Sequence, residues 1–335
     1  MPPNRRFHLP ALRAAAETRR EAAPEDLPSV DSAPMEEHLM TSKVVGSVAR
    51  LWRFPVKSMR GERLDQTEIT ERGLCGDRAY ALIDADTGKV VSAKSVRLFP
   101  DLSGCQAAFV EPPRSGRELP PVRIAFRDGT SVTSDSGDVD RVLSAYFKRD
   151  VTLARTAPED FTIDQYHPDV EGLDPAGHRD AMVAQKLGSA FFAEAGLASP
   201  VPVGSFFDLF PVSVLTTSTL KQLNELRLQS RFDERRFRMN VIVDTKEPGF
   251  LENDWAGHEL GIGETVRFNV AMPDPRCVMT TLAQDDLPKD TDILRTLVRH
   301  NRLRVGDAGL FPCAGVYAVV ATPGMVRTGA RVELN

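Results

Sequence analysis

Apolar residues in this chain recur mostly on a two-residue period, in short runs broken by turn-forming residues, and that pattern predicts a protein built from strands. The first run covers 44–54, and Pro55 ends it. Runs at 64–69, 78–84 and 90–93 follow, the last two joined by the turn sequence Asp86-Thr87-Gly88-Lys89. Others fall at 106–110, 122–126 and 131–133, with a turn at Asp128-Gly129. Short strands at such spacing indicate a barrel or sandwich. A second set covers 211–215, 240–243, 266–270 and 316–320. Helical periodicity is confined to three places. Asp138 can cap a helix with Val139, Val142, Leu143, Tyr146 and Phe147 on one face. Thr219 with Gln222 forms a capping box for a helix bearing Leu220, Leu223 and Leu226. Ile293, Leu294, Leu297 and Val298 mark the third. These stripes are core packing and carry no chemistry.

Between the two sets, residues 155–180 hold acidic residues, Pro, Gly and two of the six His. Such a stretch reads as a long connection at a domain boundary, because packed domains seldom contain structureless loops of this length. The expected division is a disordered extension over 1–42, an N-terminal β-domain over 43–165 and a second β-rich domain over 166–335. The extension is rich in Arg, Ala, Glu and Pro and has too little apolar surface to offset its ordering entropy. It contains no apolar core of a secretory signal.

Composition narrows the function classes. An apolar fraction of 41% and a charged fraction of 27% belong to an ordinary globular protein. A net charge of −5 argues against a nucleic-acid surface, so any anion site must be local and built from a few placed cations. No apolar stretch is long enough to span a bilayer as a helix. Cys75, Cys105, Cys277 and Cys313 are scattered with no CxxC, which disfavours a cysteine zinc site, a redox dithiol or an iron–sulfur module and fits a reducing cytoplasmic setting.

Cys277 stands apart. Its run, Met272-Pro273-Asp274-Pro275-Arg276-Cys277-Val278-Met279-Thr280-Thr281, reads as a proline-rich turn before the thiol and β-forming sequence after it. A cation before the thiol and hydroxyls after it favour the thiolate, the form that ligates metals. Gly261-Ile262-Gly263 lacks the third glycine of a dinucleotide loop and reads as a turn. His167, His178, His258 and His300 show no ligand spacing and read as structural or surface residues.

Three segments, Phe54-Pro55-Val56-Lys57-Ser58, Arg235-Arg236-Phe237-Arg238-Met239-Asn240 and Pro275-Arg276-Cys277-Val278, occur in this order with Gly76-Asp77-Arg78 between the first two. In this conjunction the chain resembles the MOSC family, specifically the two-part proteins related to the mitochondrial amidoxime-reducing component, over 44–335. The resemblance implies a β-rich α+β architecture: an N-terminal MOSC-type β-barrel domain, then a MOSC β-barrel domain with peripheral helices. It implies a molybdenum cofactor (Mo-molybdopterin) with Cys277 as protein ligand to the metal, a role suited to a soft thiolate. It also puts Lys57, Ser58, Arg78, Arg238, Asn240 and Arg276 near the cofactor's phosphate and pterin. Asp208 would orient a donor near the metal, or simply close a turn before Pro211. Thr217 and Ser218 would contact the cofactor at a helix start, or merely cap that helix. Arg235 and Arg236 are assigned to the solvated surface.

The function so implied is reduction of N-hydroxylated compounds, such as amidoximes and hydroxylamines, to amidines and amines. No flavin, nicotinamide or iron–sulfur motif is recognisable, so electrons would come from a separate ferredoxin-like or cytochrome-type carrier with its reductase. The alternative is a carrier of cofactor or sulfur that recognises the pterin without turnover.

Overall fold

The principal barrel is closed by strands from distant parts of the chain. In the computed structural model, which describes residues 42–335, Lys43–Arg53 runs antiparallel to both Val241–Asp244 and Arg331–Leu334. Arg331–Leu334 pairs with Glu259–Ile262, which pairs with Val266–Pro275, which pairs with Gly309–Thr322. Val212–Thr216 then joins Gly309–Thr322 to Val241–Asp244, and seven strands make a closed barrel. Closure gives each of these seven strands a partner on both sides. Its interior is filled by aliphatic and aromatic side chains, among them Val48, Leu51, Val214, Val241, Phe268 and Val316. The disorder expected for the extension falls outside the described residues.

The strand Val266–Pro275 continues five residues beyond the apolar run that marks it in sequence. Its register against Gly309–Thr322 shifts between Val270 and Met272 and again between Pro273 and Pro275. Irregularities of this kind accommodate prolines that cannot donate to a ladder. The segment before the thiol is therefore the end of a strand and not a turn. After the thiol, Val278–Thr281 is a 3₁₀ turn and not a strand. The Thr280 and Thr281 hydroxyls donate locally to the Cys277 and Val278 carbonyls at 3.0 and 2.7 Å, bonds that compete with a sheet ladder. Gly261 and Ile262 likewise lie in a strand, and Gly263 alone makes the turn.

The N-terminal unit surrounds a second core. Gln106–Phe109, Val122–Ala125 and Ser131–Thr133 form one antiparallel sheet, and Ala81–Asp84 pairs with Val151–Ala154. Helix Val139–Phe147 packs on this core with Leu143 fully buried. Asp138 starts that helix, but its carboxylate takes the Ser136 hydroxyl and Arg141, not a helix N–H. The units are interlocked, because Gln66–Thr70 pairs with Gly324–Arg327.

Residues 155–180 are not a plain connection. Thr162–His167 and Ala181–Lys186 form an antiparallel ribbon. Its first strand is tied to the N-terminal unit by Val90 N–H to Thr162 O and Tyr166 N–H to Lys94 O, both 2.9 Å.

Helix Thr217–Leu226 starts before the Thr219/Gln222 box. Thr216 is its N-cap, and the Thr216 hydroxyl accepts the Thr219 N–H at 3.1 Å. The Thr216 and Thr219 hydroxyls both donate to Oε2 of the buried Glu252, whose Oε1 accepts the Gly315 N–H at 3.2 Å. Gly315 has φ +83°, and a Cβ there would lie 2.6 Å from the Val214 carbonyl oxygen. Gly315→Ala should therefore destabilise the fold by about 2–4 kcal/mol, combining left-handed backbone strain with a contact to backbone that cannot yield. Equilibrium denaturation checks this; a loss under about 0.5 kcal/mol, ordinary for surface changes, contradicts it.

Candidate functional site

A cavity of about 460 Å³ opens where the N-terminal unit, the ribbon and the barrel meet. Lys57 and Ser58 reach it just beyond the end of Lys43–Arg53, and Arg78 follows the Gly76-Asp77 turn. Arg238 enters between the turn Glu234–Arg236 and the strand Val241–Asp244. Arg276 and Cys277 follow the strand Val266–Pro275, so the thiol is held in extended backbone at a strand end. Asp208 and Asn240 complete the set of expected residues at the cavity.

Two expected residues lie elsewhere. The Thr217 hydroxyl donates to Asp244 at 3.1 Å, and Ser218 Oγ bonds Thr245 Oγ1 at 2.7 Å and the Glu247 carbonyl. Neither lines the cavity, because this helix start is pinned over the end of Val241–Asp244. Arg236 is also not a surface residue. It is 1% exposed, and its guanidinium donates to the carbonyls of Arg231, Thr280, Leu282 and Pro288. It therefore braces the 3₁₀ turn that follows Cys277. Arg235 is partly exposed and does not line the cavity; it is paired with Asp233, Asp285 and Asp286.

Asp77 organises the cationic wall. Its buried carboxylate accepts the Phe54 N–H at 2.6 Å, Arg78 Nη1 at 2.6 and 2.8 Å and Asn240 Nδ2 at 2.9 Å. Asn240 Oδ1 accepts the Ser213 N–H and hydroxyl at 3.2 and 3.0 Å. Asn240 therefore lines the cavity with its amide committed to protein partners. Arg78 and Arg238 each sit 4.4 Å from the centre of the Phe54 ring, a cation–π arrangement that orients both. Ser58, Arg78 and Arg238 all have positive φ, at 67°, 48° and 58°, strain of about 1–3 kcal/mol each that persists only where surrounding contacts over-determine it.

Lys94, Asp274 and Tyr317 belong to the site without having been marked by the sequence. Asp208 binds both Lys57 and Lys94, the latter at 2.8 Å. Burial opposes the Asp208 charge, but the two ammonium groups outweigh it and hold the carboxyl well below the usual range. Asp208 is thus a fixed anion that orients lysines. Lys94 is raised, since Asp208 and then Cys277 overcome its burial. Burial lowers Lys57 from 10.5 to about 8, with Lys94 and Arg78 adding to the effect against Asp208. Arg238 is pushed down by burial first and by Arg78 next. Burial raises Asp274 to about 6 against the pull of its Arg276 partner.

The donor set fits an anionic, sulfur-bearing group. Five cations line the cavity, Lys57, Arg78, Lys94, Arg238 and Arg276, against the lining carboxylates Asp174, Asp208 and Asp274 and Asp77 behind Arg78, a surplus of one positive charge. Buried charge without a counter-charge is costly, so the surplus calls for an anion such as a phosphate. Arg276 Nε is buried with no protein partner, and the Cys277 sulfur lies on the same wall as a soft ligand. The remaining wall is aromatic, with Phe206, Phe207 and Phe210 beside Tyr317, which stacks on Phe210 with centroids 5.3 Å apart.

At the mouth, the ribbon and its loop gather residues whose sequence spacing suggests nothing. His178 Nδ1 lies 2.5 Å and His167 Nδ1 3.6 Å from the same carboxylate, Asp174.

The closed barrel and the β-unit joined to it correspond to two family matches. Residues 45–119 match the MOSC N-terminal beta barrel domain and residues 203–333 the MOSC domain, and the chain belongs to the family that joins the two. It is similar to human mitochondrial amidoxime-reducing component 1, 25% identical over 319 residues spanning 87% of this chain and 83% of the relative. Human mitochondrial amidoxime reducing component 2 is also 25% identical, over 85% of this chain and 82% of its own. Among solved structures, the YuaD protein of Bacillus subtilis aligns over 88% of this chain and 98% of its own, at 11% identity and a TM-score of 0.38, too low to support the fold.

The lowered Lys57 has a measurable consequence. Between pH 8 and 10.5 its folded form has released a proton that the unfolded chain still holds, so cofactor-free protein should gain stability as pH rises through that window. Lys57→Met should flatten this rise, measured by denaturant unfolding at several pH values. Identical pH profiles for the two proteins would contradict the assignment.

Proposed function

We propose that this protein is a molybdenum-cofactor-dependent reductase of N-hydroxylated compounds, with Cys277 as the metal's protein ligand and electrons delivered by a separate ferredoxin-like or cytochrome-type carrier. The observation that carries this reading is the pairing of the Cys277 thiol with a buried surplus of positive charge in one cavity. Bound there, the cofactor would supply two-electron redox chemistry and the removal of an oxygen atom. The net reaction takes an N–OH group to N–H and water, consuming two electrons and two protons.

In this reading the chain's own residues divide the work. Arg78, Arg238 and Lys57 hold the phosphate and pterin, the guanidinium groups by paired donors and the lysine as a point charge. Asp208 keeps Lys94 protonated and holds its ammonium at the cavity that Cys277 also lines. Arg276, anchored by Asp274 and by the Phe237 carbonyl at 2.5 Å, fixes the backbone on the N-terminal side of the thiol. The aromatic wall accommodates the apolar body of a substrate and limits water at the reacting centre. That wall favours turnover over the carrier reading, because a carrier needs only the cationic half.

Among the described residues, no helix is long and apolar enough to cross a membrane. The described cysteines are all free, which fits a reducing compartment such as the cytoplasm.

The decisive experiment compares wild type with Cys277→Ser after expression in a host that loads molybdoenzymes. Wild type should contain near-stoichiometric molybdenum and pterin and reduce benzamidoxime with an artificial donor; Cys277→Ser should fall at least about 100-fold in rate, the loss of a ligand and not of a contact. Wild type without metal in that host, or unchanged activity in the variant, overturns the reading. Arg238→Ala should lower pterin content well below wild type while leaving the circular-dichroism spectrum intact. Normal pterin content in that variant would remove Arg238 from the cofactor-holding set.

A further inference from the structure

We propose a second metal site, for a zinc-type divalent ion, formed by His167, Asp174 and His178 at the mouth of the cavity. It does not rest on the molybdenum reading. His167 ends the first ribbon strand, and the loop that follows carries Asp174 and His178 before the second strand begins at Ala181. One ligand atom from each of the three lies within 4.8 Å of the other two. Zinc with ligands at about 2.0–2.2 Å holds its donor atoms roughly 3–4 Å apart, so small side-chain adjustments suffice.

The geometry points to an ion in three ways. Both imidazoles aim Nδ1 at the same oxygen, Asp174 Oδ2, at 2.5 and 3.6 Å, so three lone-pair donors converge on one small volume. The carboxylate is held from the backbone, by Ala176 N–H at 3.1 Å on Oδ1 and His178 N–H at 3.2 Å on Oδ2. Gly177, at φ +81°, makes the turn that returns His178 to Asp174. Two imidazoles and one carboxylate suit zinc and its neighbours better than calcium or magnesium, which prefer all-oxygen sites. All three residues also line the cavity, and three protein ligands leave a coordination position for water or another ligand.

The ion would act as a clasp. It would cross-link the ribbon strand to the 168–180 loop and fix that loop at the entrance, leaving the redox centre behind it unchanged. Binding should release the proton that His178 Nδ1 shares with Asp174.

The test is zinc titration of the full chain by calorimetry with a competing chelator, on wild type, Asp174→Asn and His178→Ala, each repeated in a Cys277→Ser background that removes the competing thiol. Wild type should bind one zinc more than either variant, or bind it at least about tenfold more tightly, in both backgrounds. Amide hydrogen exchange over 168–180 should slow when that ion binds. His178 is 42% exposed at its side chain, so His178→Ala leaves the fold intact and remains decisive if Asp174→Asn disturbs the loop. Equal zinc uptake by wild type and His178→Ala, or uptake that vanishes with Cys277→Ser alone, overturns the proposal.

Discussion

Much of this structure depends on one buried carboxylate. Asp77 accepts from the Phe54 backbone, from Arg78 and from Asn240, and so joins the first barrel strand, the Gly76 turn and the entry to Val241–Asp244. A buried anion needs such partners, since unpaired it would shed its charge or unfold its surroundings. By satisfying Asp77, the chain fixes the cation beside it. Arg78 is then set against the Phe54 ring, and Arg238 meets the same ring from another segment. The left-handed backbone at Arg78 and Arg238 is held by these contacts.

The cations around Cys277 raise the opposite problem. Asp77, Asp208 and Asp274 neutralise only part of the charge they face, and the remainder strains against burial, as the lowered Lys57 and Arg238 record. An anion bound there would relieve this electrostatic tension. Asp208 shows the complementary device, an anion kept charged by two ammonium groups so that neither lysine collapses onto another partner. The aromatic half of the cavity contributes no charge, and it divides the space into a polar holder and an apolar chamber.

The strand-rich character and the chief site residues were legible because their signals are local. Pro55 ends a strand, alternation marks the barrel segments, and Lys57, Arg78, Arg238, Arg276 and Cys277 stand in short recognisable runs. Contacts that depend on remote partners were not. Arg236 reads as one of three similar arginines, and only packing against carbonyls from 280, 282 and 288 makes it internal. Thr217 and Ser218 begin a helix in either reading, and the side to which it is pinned depends on Asp244 and Thr245. Lys94 lies in a Ser-Ala-Lys-Ser stretch without distinguishing pattern and acquires its role from Asp208. The ribbon was hidden because Thr162–His167 is half-buried throughout except at Ile163, and Ala181–Lys186 alternates only between intermediate and exposed positions, which leaves little apolar contrast.

The sheet order has a consequence for how this protein comes into being. Lys43 pairs with Leu334, and the strand that contains Lys43 also closes against Val241–Asp244. During synthesis only the Leu51–Arg53 end of the first strand can pair early, with Glu62–Leu64, while its Lys43–Ser47 end must wait for the last strand of the chain. Barrel closure is a late and slow event set by long loops, and the exposed strand is vulnerable to wrong partners meanwhile. Lys57 and Ser58, which follow that strand directly, cannot meet Arg238 and Cys277 before it docks. The pocket draws its lining from Lys57 through Tyr317, so it cannot form before most of the chain has folded.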